Sequence, residues 1–424
     1  MIWQIIHIIE ILLWLLLAAS GAYILFFALV SMLWKKKTSP LAKYMKGIQE
    51  NLEPHYHRFL VLYPAYNEDR VIVNSVHTFL GQYYPYANFR VCVISDHMRP
   101  ETNEELAKLP ITLLQPVFEK SSKAKAMQYA INEVNGQSSM VNGQSSMVNG
   151  QSSMVNGQFD YVVILDADNV VDSDFLEKLN ELCNKGYKAI QCHRCAKNSN
   201  NDIAVLDGVS EEINNTIFRK AHNRIGLSSA LIGSGMCFDY QWFCENVFQL
   251  STAGEDRELE ALLLKQKIYI HYEPEIHVYD EKVSNKDNFQ KQRLRWMTAQ
   301  IQSLLTLLPY VPKAIITGNI DFIDKTIQQA LIPRSMLIVL TFVLACLITL
   351  LSTVWCLKWW LLFLFICLSL YVSTPKKLRR YSMFGKIFSL PMLVWKMLAN
   401  ILKIDHKNTD FIHTTHGDES KNKL

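Results

Sequence analysis

Apolar residues of this 424-residue chain are concentrated at its two ends. The first run, residues 2–34, is interrupted by His7, Glu10 and a few neutral polar residues, and it exceeds the roughly 20 residues that a helix needs to cross a bilayer. It has neither a preceding basic stretch nor a small-residue cleavage pattern, which argues against a removed signal peptide. Three lysines at 35–37 follow directly. The positive-inside rule therefore predicts a transmembrane helix followed by a cytoplasmic domain.

A second apolar region lies near the carboxyl end. Residues 336–356 carry no charge and form one predicted span, and residues 359–374 form a second, shorter one. Basic residues at 376–380 then predict a return to the cytoplasm. Residues 383–404 mix apolar side chains with three lysines and a proline, so a helix in the membrane interface and a third membrane helix both stay open.

The sequence thus predicts a multi-pass protein of the inner (plasma) membrane whose central domain is cytoplasmic. The predicted segments, in order, are an N-terminal transmembrane helix (1–34), a basic linker (35–58), a central cytoplasmic domain (59–300), amphipathic interface helices (301–334), two transmembrane helices (335–374), a basic turn with an interfacial or third membrane helix (375–404) and a cytoplasmic tail (405–424).

The central domain alternates short β-rich runs with segments of helical spacing. The predicted strands are 59–63, 90–94, 111–114 and 161–165, and the predicted helices include 71–80 and 123–134. This alternation predicts an α/β fold with a mostly parallel sheet and helices on both faces. Functional residues of such sheets lie at the carboxyl ends of strands. Glu68, Asp96 and Asp166 all fall at such ends.

Residues 135–158 interrupt this pattern with a tandem repeat. The heptapeptide Asn-Gly-Gln-Ser-Ser-Met-Val occurs three times without change, and a fourth copy begins at Asn156. Each copy has only two apolar residues and a helix-weakening Asn-Gly pair, which disfavours a coiled coil. We expect a loosely ordered surface insertion whose role the sequence leaves open.

Composition excludes two classes of function. A net charge of +4 with no arginine-rich face argues against a nucleic-acid partner. The few predicted spans and the large polar centre argue against a transporter.

The Asp166-Ala167-Asp168 segment is a candidate metal site. It places two carboxylates where a predicted strand gives way to a loop. Magnesium-type ions are held in proteins by one or two carboxylates together with phosphate oxygens and water. Asp168, farther into the loop, is the better candidate ligand, and Asp166 can touch metal or ribose. The alternative is a set of helix-capping carboxylates, such as those at 172–174 before Phe175.

Three more residues are candidates for binding a nucleotide. Asp96 ends the second predicted strand, where its carboxylate can accept hydrogen bonds from ribose or base. Glu68 follows the first strand, and Lys123 opens the predicted helix after two serines. A turn-forming aspartate and a solvated lysine are the alternatives for Asp96 and Lys123.

Glu255 and Asp256 open a helical stretch, and we expect Asp256 to act as the general base that takes a proton from an acceptor hydroxyl. The alternative is that these carboxylates only stabilise the helix N-terminus. A separate glycine-rich loop after an earlier apolar run, which contains Gly233 and Ser234, allows either close backbone approach to the acceptor or a simple tight turn.

Gln292, Arg295 and Trp296 have the spacing i, i+3, i+4, so a helix places them on one face. Arginine can bind a diphosphate through paired charged hydrogen bonds, and tryptophan offers a flat surface for a sugar ring. A membrane-proximal basic and aromatic pair is the alternative.

Taken in order, these motifs resemble those of the family-2 inverting glycosyltransferases, over roughly residues 59–300. The pattern is most similar to membrane-integrated cellulose, hyaluronan and poly-N-acetylglucosamine synthase-like members. The motifs that carry the resemblance are Pro64-Ala65-Tyr66-Asn67-Glu68, Asp96, Asp166-x-Asp168, Glu255-Asp256 and Gln292-x-x-Arg295-Trp296 (QxxRW).

The resemblance implies a GT-A (nucleotide-diphosphosugar transferase) fold, a UDP-sugar donor, a Mg²⁺ or Mn²⁺ ion and inversion by in-line displacement. It implies that Asp96 contacts the nucleoside, that Asp168 binds the metal and that Asp256 is the base. The expected function is transfer of a sugar to a glycan acceptor in cell-surface polysaccharide synthesis, in contact with membrane lipid. The alternatives are single addition to a lipid, as in glucosylceramide synthase-like members, and a non-catalytic nucleotide-sugar-binding component. The sugar, processivity, an export partner and the oligomeric state are left open.

Overall fold

The computed structural model describes residues 2–33, 55–140, 159–197, 202–252, 254–282 and 286–375. The chain divides into two compact units. The helical unit comprises Met1–Lys37, Asn200–Leu227 and Phe289–His406, and the sheet unit comprises Thr38–Ser199, Ser228–Asn288 and Lys407–Leu424. The predicted segment 383–404 lies outside the described residues.

The sheet unit is built on an eight-stranded sheet. Its strands are β1 (Phe59–Tyr66), β2 (Phe89–Asp96), β3 (Thr112–Leu114), β4 (Tyr161–Ile164), β5 (Val170–Val171), β6 (Ala189–Ala196), β7 (Met236–Asp239) and β8 (Ile270–Asp280). They lie in the order β3-β2-β1-β4-β7-β6-β8-β5. The four strands predicted from apolar runs correspond to β1 to β4.

The expectation of a mostly parallel sheet needs correction, because the sheet is mixed. The pairs β1–β2, β1–β4, β2–β3 and β6–β8 are parallel. However, β7 lies antiparallel between β4 and β6, and β5 is antiparallel to β8 at one edge. The cause is long-range pairing. Strand composition shows that a segment is extended, but its direction depends on partners far away in the sequence.

Helices cover this sheet and close its core. They are Ile72–Phe79, Pro100–Ala107, Lys123–Met140, Phe175–Asn184, Tyr240–Asn246 and Glu255–Lys265, with short 3₁₀ turns at Tyr86–Asn88 and Val247–Gln249. Fully buried Phe59, Phe79, Phe89 and Phe175 anchor the core, where the Phe79 ring makes edge contacts with Phe89 and Phe175. Burial stabilises the fold by about 1.5–3 kcal/mol for each such ring.

One helix end and one capping contact in the sheet unit differ from the sequence-based expectation. The helix that starts at Lys123 continues to Met140, so the first residues of the repeat are helical, and residues 141–158 lie outside the described part of the chain. Asp174 occupies the N-cap position before Phe175, but its side chain makes no cap hydrogen bond and pairs instead with Lys178 at 2.8 Å.

The helical unit contains three helices that are long and apolar enough to cross a membrane, among the residues described: Gln4–Leu33, Arg334–Leu351 and Thr353–Ser373. The first belongs to the helix Ile2–Leu33. The other α-helices are Asp202–Asn214, His222–Ile225, Lys286–Leu307, Val311–Ile316 and Ile320–Ala330, with a π-helical segment at Asn215–Ala221 and a 3₁₀ turn at Leu308–Tyr310. The helices between residues 286 and 330 include most of residues 301–334, the segment predicted to form amphipathic interface helices.

The break between the last two apolar helices differs from the prediction, which put it between Cys356 and Trp359. Ser352 is extended (φ −159°), and its side chain accepts a hydrogen bond from the Trp355 backbone N–H. Because a serine cap starts a new helix here, the second apolar helix begins at Thr353 and has 21 residues. Composition alone did not show this cap.

Buried polar contacts join the apolar helices. Glu10, with a side chain only 5% exposed, accepts hydrogen bonds from Lys358 Nζ at 2.8 Å and from the Trp359 indole. The same two helices also pack closely at Gly21, where an added Cβ would lie 3.1 Å from Ile366 Cγ1. The charged residue that interrupts the first apolar run is therefore paired inside the helical unit.

Candidate active site

Lys123 lies at the centre of an acidic cluster in the sheet unit. Its ammonium donates to Asp166 Oδ1 and to the Gly233 carbonyl at 2.6 Å, and Glu255 Oε1 lies 3.8 Å away. The side chain is 14% exposed. The structure therefore brings together residues from the start of a helix, the end of β4, the loop before β7 and the start of another helix.

The charge state of Lys123 follows from these neighbours. Burial alone would lower the pKa of Lys123, but the nearby carboxylates of Asp166 and Glu255 more than offset this effect. The pKa is raised above its ordinary value, so the side chain stays an ammonium. A solvated surface lysine, one of the two sequence interpretations, does not describe this residue.

Asp256 is tied to the same loop. Its Oδ2 accepts a hydrogen bond from the Gly233 backbone N–H at 3.1 Å, and its Oδ1 accepts from the Arg257 N–H at 2.8 Å. The helix Glu255–Lys265 begins here, so the carboxylate also lies at the positive end of a helix dipole. Asp256 therefore lies at the helix start and within the cluster, and its role as a general base stays a prediction.

The carboxyl group of Glu255 has a raised pKa. Burial raises the pKa of its carboxyl group to about 7, although the Lys123 ammonium acts in the opposite direction. At pH values between its ordinary pKa and 7, the folded chain therefore holds a proton that the unfolded chain has released. Folding stability consequently falls as the pH rises through this range.

We predict that Glu255→Gln removes this pH dependence. Relative to the wild type, the free energy of unfolding of the variant should rise by about 1–3 kcal/mol between pH 4.5 and pH 8. Denaturant unfolding of the detergent-solubilised chain at several pH values measures the difference. Glu258→Gln, on the same helix, is the control. An equal pH dependence of wild type and Glu255→Gln would contradict the assignment.

The loop Gly233–Ser234–Gly235 has a backbone that only glycine accommodates well at two positions. Gly233 and Gly235 have φ values of +45° and +64°. Ser234 is fully buried, and its hydroxyl has no hydrogen-bond partner among the described residues. The loop is therefore a tight turn that also directs the Gly233 N–H and carbonyl towards Asp256 and Lys123.

The two glycines should differ in their tolerance of alanine. A Cβ at Gly235 would lie 2.8 Å from Val278 Cγ2, whereas one at Gly233 would meet nothing within 4 Å. We predict that Gly235→Ala destabilises the chain by about 2–4 kcal/mol, and Gly233→Ala by about 1–2 kcal/mol from backbone strain alone. Thermal unfolding of both variants tests the difference, and equal losses would refute the packing argument.

The two aspartates of the Asp166-x-Asp168 segment have different environments. Asp166 has a side chain 31% exposed and reaches Lys123. Asp168 is only 3% exposed, and its oxygens accept hydrogen bonds from Asn169 Nδ2 at 3.1 Å and from the Glu281 N–H at 2.8 Å. Asp166 is therefore the more accessible of the two, and metal binding by Asp168 stays a prediction.

A network of charged side chains next to Asp166 was not predicted from the sequence. Arg194, on β6, lies 3.9 Å from Asp166 Oδ2 and 3.8 Å from Asp280 Oδ2. Asp280, at the end of β8, also pairs with Lys282 at 2.8 Å and accepts from Asn169 at 3.3 Å. Asp280 is also an aspartate at the end of a strand, but β8 carries two histidines, two glutamates and a proline, so it lacks the apolar run that indicated the strands before Asp96 and Asp166. Arg194 carries no local signal either.

Asp96 is the last residue of β2, where it pairs with Tyr66 of the parallel strand β1, and Glu68 lies two residues beyond β1. The Asp96 carboxylate is buried beside the His97 Nδ1. Asn67 and His97, just beyond the strand ends, have left-handed φ values of +53° and +57°. This strained backbone marks the carboxyl edge of the sheet, although nucleotide binding by Asp96 and Glu68 stays a prediction.

Gln292, Arg295 and Trp296 lie on the helix Lys286–Leu307, within the helical unit, and all three side chains are partly buried. Their helical spacing places them on one face, as the sequence indicated. Their role at the diphosphate and acceptor stays a prediction.

Two carboxylates and one carbonyl oxygen lie around Lys123, although no group of three or more His, Cys, Asp or Glu side chains among the described residues is arranged to hold a metal ion. Carboxylate and carbonyl oxygens are the ligands that Mg²⁺ and Mn²⁺ prefer. The network contains five carboxylates and three cationic side chains, an excess of two negative charges when all are ionised: Asp166, Asp168, Glu255, Asp256 and Asp280 against Lys123, Arg194 and Lys282. A nucleoside diphosphate adds negative charge, so a cation that accompanies it would relieve the repulsion.

A cavity of about 350 Å³ lies at the opposite edge of the sheet and contains none of the predicted site residues. It is lined by His57, Arg58, Phe159, Asp160, Tyr161, Asp239 and Gln241. These residues flank the starts of β1 and β4 and the end of β7. The acidic cluster lies at the other ends of the same strands.

Comparisons with known proteins agree with this fold. Residues 161–374 match the model described as Glycosyl transferase family group 2, and residues 60–241 match the model described as Glycosyl transferase family 2. The first match spans half of the chain, so the chain belongs to glycosyl transferase family group 2. It is a glycosyltransferase with a GT-A-like fold built on a mixed sheet.

Several solved structures show a weaker likeness. A mannosyltransferase from Pyrobaculum calidifontis in complex with GDP-Man and Mn²⁺ is 14% identical with a TM-score of 0.47, over 89% of this chain and 99% of that one. A fragment of S. aureus TarS in complex with UDP-GlcNAc is 12% identical with a TM-score of 0.41, over 81% and 88%. At these values the likeness carries no inference about donor or acceptor. No curated protein has significant sequence similarity to this chain.

Proposed function

We propose that this glycosyltransferase transfers a sugar from a UDP-sugar to a glycan acceptor in cell-surface polysaccharide synthesis. The observation that carries the proposal is the meeting of Asp166 and Asp256 at Lys123 and Gly233, within a chain of this family. Transfer requires charge compensation at the leaving diphosphate and a base at the attacking hydroxyl. The cluster contains residues for both tasks.

The residues have separate proposed roles. Asp256 accepts the proton of the acceptor hydroxyl as the hydroxyl attacks the anomeric carbon, and the attack opposite the leaving group inverts the configuration. Asp96 and Glu68 bind the nucleoside at the carboxyl edge of the sheet. Asp168, with Asp166, would hold a Mg²⁺ or Mn²⁺ ion, which offsets the charge of the departing UDP when bound. Gln292, Arg295 and Trp296 would bind the diphosphate and acceptor.

The proposed location is the inner membrane, with the sheet unit in the cytoplasm. Three apolar helices of sufficient length and the lysines at 35–37 support this placement. A cytoplasmic site would have direct access to nucleotide sugars, and the acceptor would lie near the membrane surface.

A panel of radiolabelled UDP-sugars, incubated with membranes that contain the protein and followed by product sizing, tests the proposal. A ladder of labelled polymer is the expected result. A product with a single labelled sugar on a lipid would indicate that the acceptor is a lipid and not a glycan. Binding of UDP-sugars without turnover would indicate a non-catalytic component, and no binding at all would contradict the proposed donor.

A further inference from the structure

The Lys123 ammonium is held as a bound cation would be. Oxygen atoms from three separate segments surround it: Asp166 after β4, the Gly233 carbonyl before β7, and Glu255 at a helix start. Two of them are carboxylates, and all are hard oxygen donors of the kind that coordinate Mg²⁺ and Mn²⁺. The ammonium therefore takes the place that a divalent ion at these oxygens would need.

Both oxygens of Asp166 already face positive groups. Oδ1 accepts from Lys123, and Oδ2 lies 3.9 Å from Arg194 Nη1. A divalent ion that approaches this carboxylate is repelled by both side chains. Displacement of one of them would therefore favour binding of an ion at Asp166.

Lys123 is the side chain suited to move. Arg194 is a planar group set on β6 and braced by Asp280 at 3.8 Å. Lys123, by contrast, is at the first position of its helix, and its flexible four-carbon stem carries a compact charge. A diphosphate that enters the cluster would offer this ammonium new oxygen partners.

We propose that Lys123 is the resident counter-ion of the site, and that a divalent cation binds well only after a nucleoside diphosphate has drawn the lysine away. This inference rests on the proposed function and concerns the order of binding at the same site. It makes nucleotide and metal binding mutually dependent through one side chain, because each favours the arrangement in which Lys123 has left the carboxylates.

Measurement of Mn²⁺ binding to the full chain in detergent tests the proposal. The electron paramagnetic resonance signal of free Mn²⁺ reports how much of the ion stays unbound. For the wild type, UDP should tighten Mn²⁺ binding by about tenfold or more, after correction for Mn²⁺–UDP complexes in solution. Lys123→Met should tighten Mn²⁺ binding without UDP by about tenfold and should lose most of the UDP effect.

The matched control is Lys125→Met. Lys125 lies two residues farther along the same helix, where its ammonium donates to the Lys120 carbonyl at 2.7 Å in an exposed position. Lys125→Met removes the same charge as Lys123→Met but should leave Mn²⁺ binding unchanged. Lys123→Gln, which can still donate to Gly233, replaces the methionine variant if that variant does not fold.

Unchanged or weaker Mn²⁺ binding by a folded Lys123 variant would overturn the proposal, as would equal Mn²⁺ affinity of the wild type with and without UDP when calorimetry shows that UDP is bound. The two hypotheses fail separately. If the wild type neither binds UDP nor uses any UDP-sugar, the proposed function fails, but the comparison of Mn²⁺ binding alone between the wild type and the Lys123 variants still decides the role of the lysine.

Discussion

Asp256→Asn should lower the turnover of the UDP-sugar by about 10²–10⁴ while it leaves UDP affinity almost unchanged. The carboxylate holds the loop through the Gly233 N–H at 3.1 Å, and each oxygen keeps a lone pair for an acceptor proton. An amide cannot take up a proton at neutral pH, so the chemical step would lose its proposed base. Single-turnover kinetics and calorimetric UDP titration measure the two quantities.

The controls for this variant lie on the same helix. Glu258→Gln should retain turnover, because Glu258 hydrogen-bonds the local backbone at Ser251 and Thr252. Glu255→Gln separates two candidate bases, since Glu255 has a pKa raised by burial to about 7. A larger loss in Glu255→Gln than in Asp256→Asn would transfer the role of base to Glu255.

Arg194→Met should reduce both stability and turnover. Arg194 has a side chain only 10% exposed and lies between Asp166 and Asp280, so its loss leaves two carboxylates without this counter-charge. Breaking such a buried pair should cost about 2–4 kcal/mol of unfolding free energy. Turnover should fall at least about tenfold, because Asp166 is no longer held in place.

Arg99→Met provides the comparison for a solvent-exposed pair. Arg99 is 66% exposed and lies 3.6 Å from Asp69, so the loss of this pair should cost less than about 1 kcal/mol. Arg194→Lys should recover part of the stability but little of the geometry, because an ammonium cannot contact both carboxylates as a planar guanidinium does. Equal destabilisation by Arg194→Met and Arg99→Met would refute the buried network.

Much of the candidate site was predictable from short sequence patterns. Strands that end in an aspartate indicated Asp96 and Asp166, and an acidic pair before a helical stretch indicated Glu255 and Asp256. The positions of these residues were predictable because strand ends and helix starts are local features that place side chains in known directions, whereas their roles stay predictions. The strand that ends at Asp280 lacks such an apolar run, so this pattern does not indicate Asp280.

Other features had no local signal. The buried pairing of Arg194 depends on β6 and β8 lying side by side, although some 80 residues separate Arg194 from Asp280. The antiparallel direction of β7 likewise follows from its two neighbours in the sheet. The relation of Gln292, Arg295 and Trp296 to the acidic cluster stays a prediction, because they belong to the other compact unit.

The amino-acid sequence by itself determined the apolar helices, the α/β character of the centre and the identity of most acidic candidates, since each depends on residues close together in the chain. Only the tertiary structure decided that Lys123 lies among oxygens from three distant segments and that Asp166 is more accessible than Asp168. The physical reason is that burial and Coulomb interactions depend on distance in space, which the order of residues does not specify.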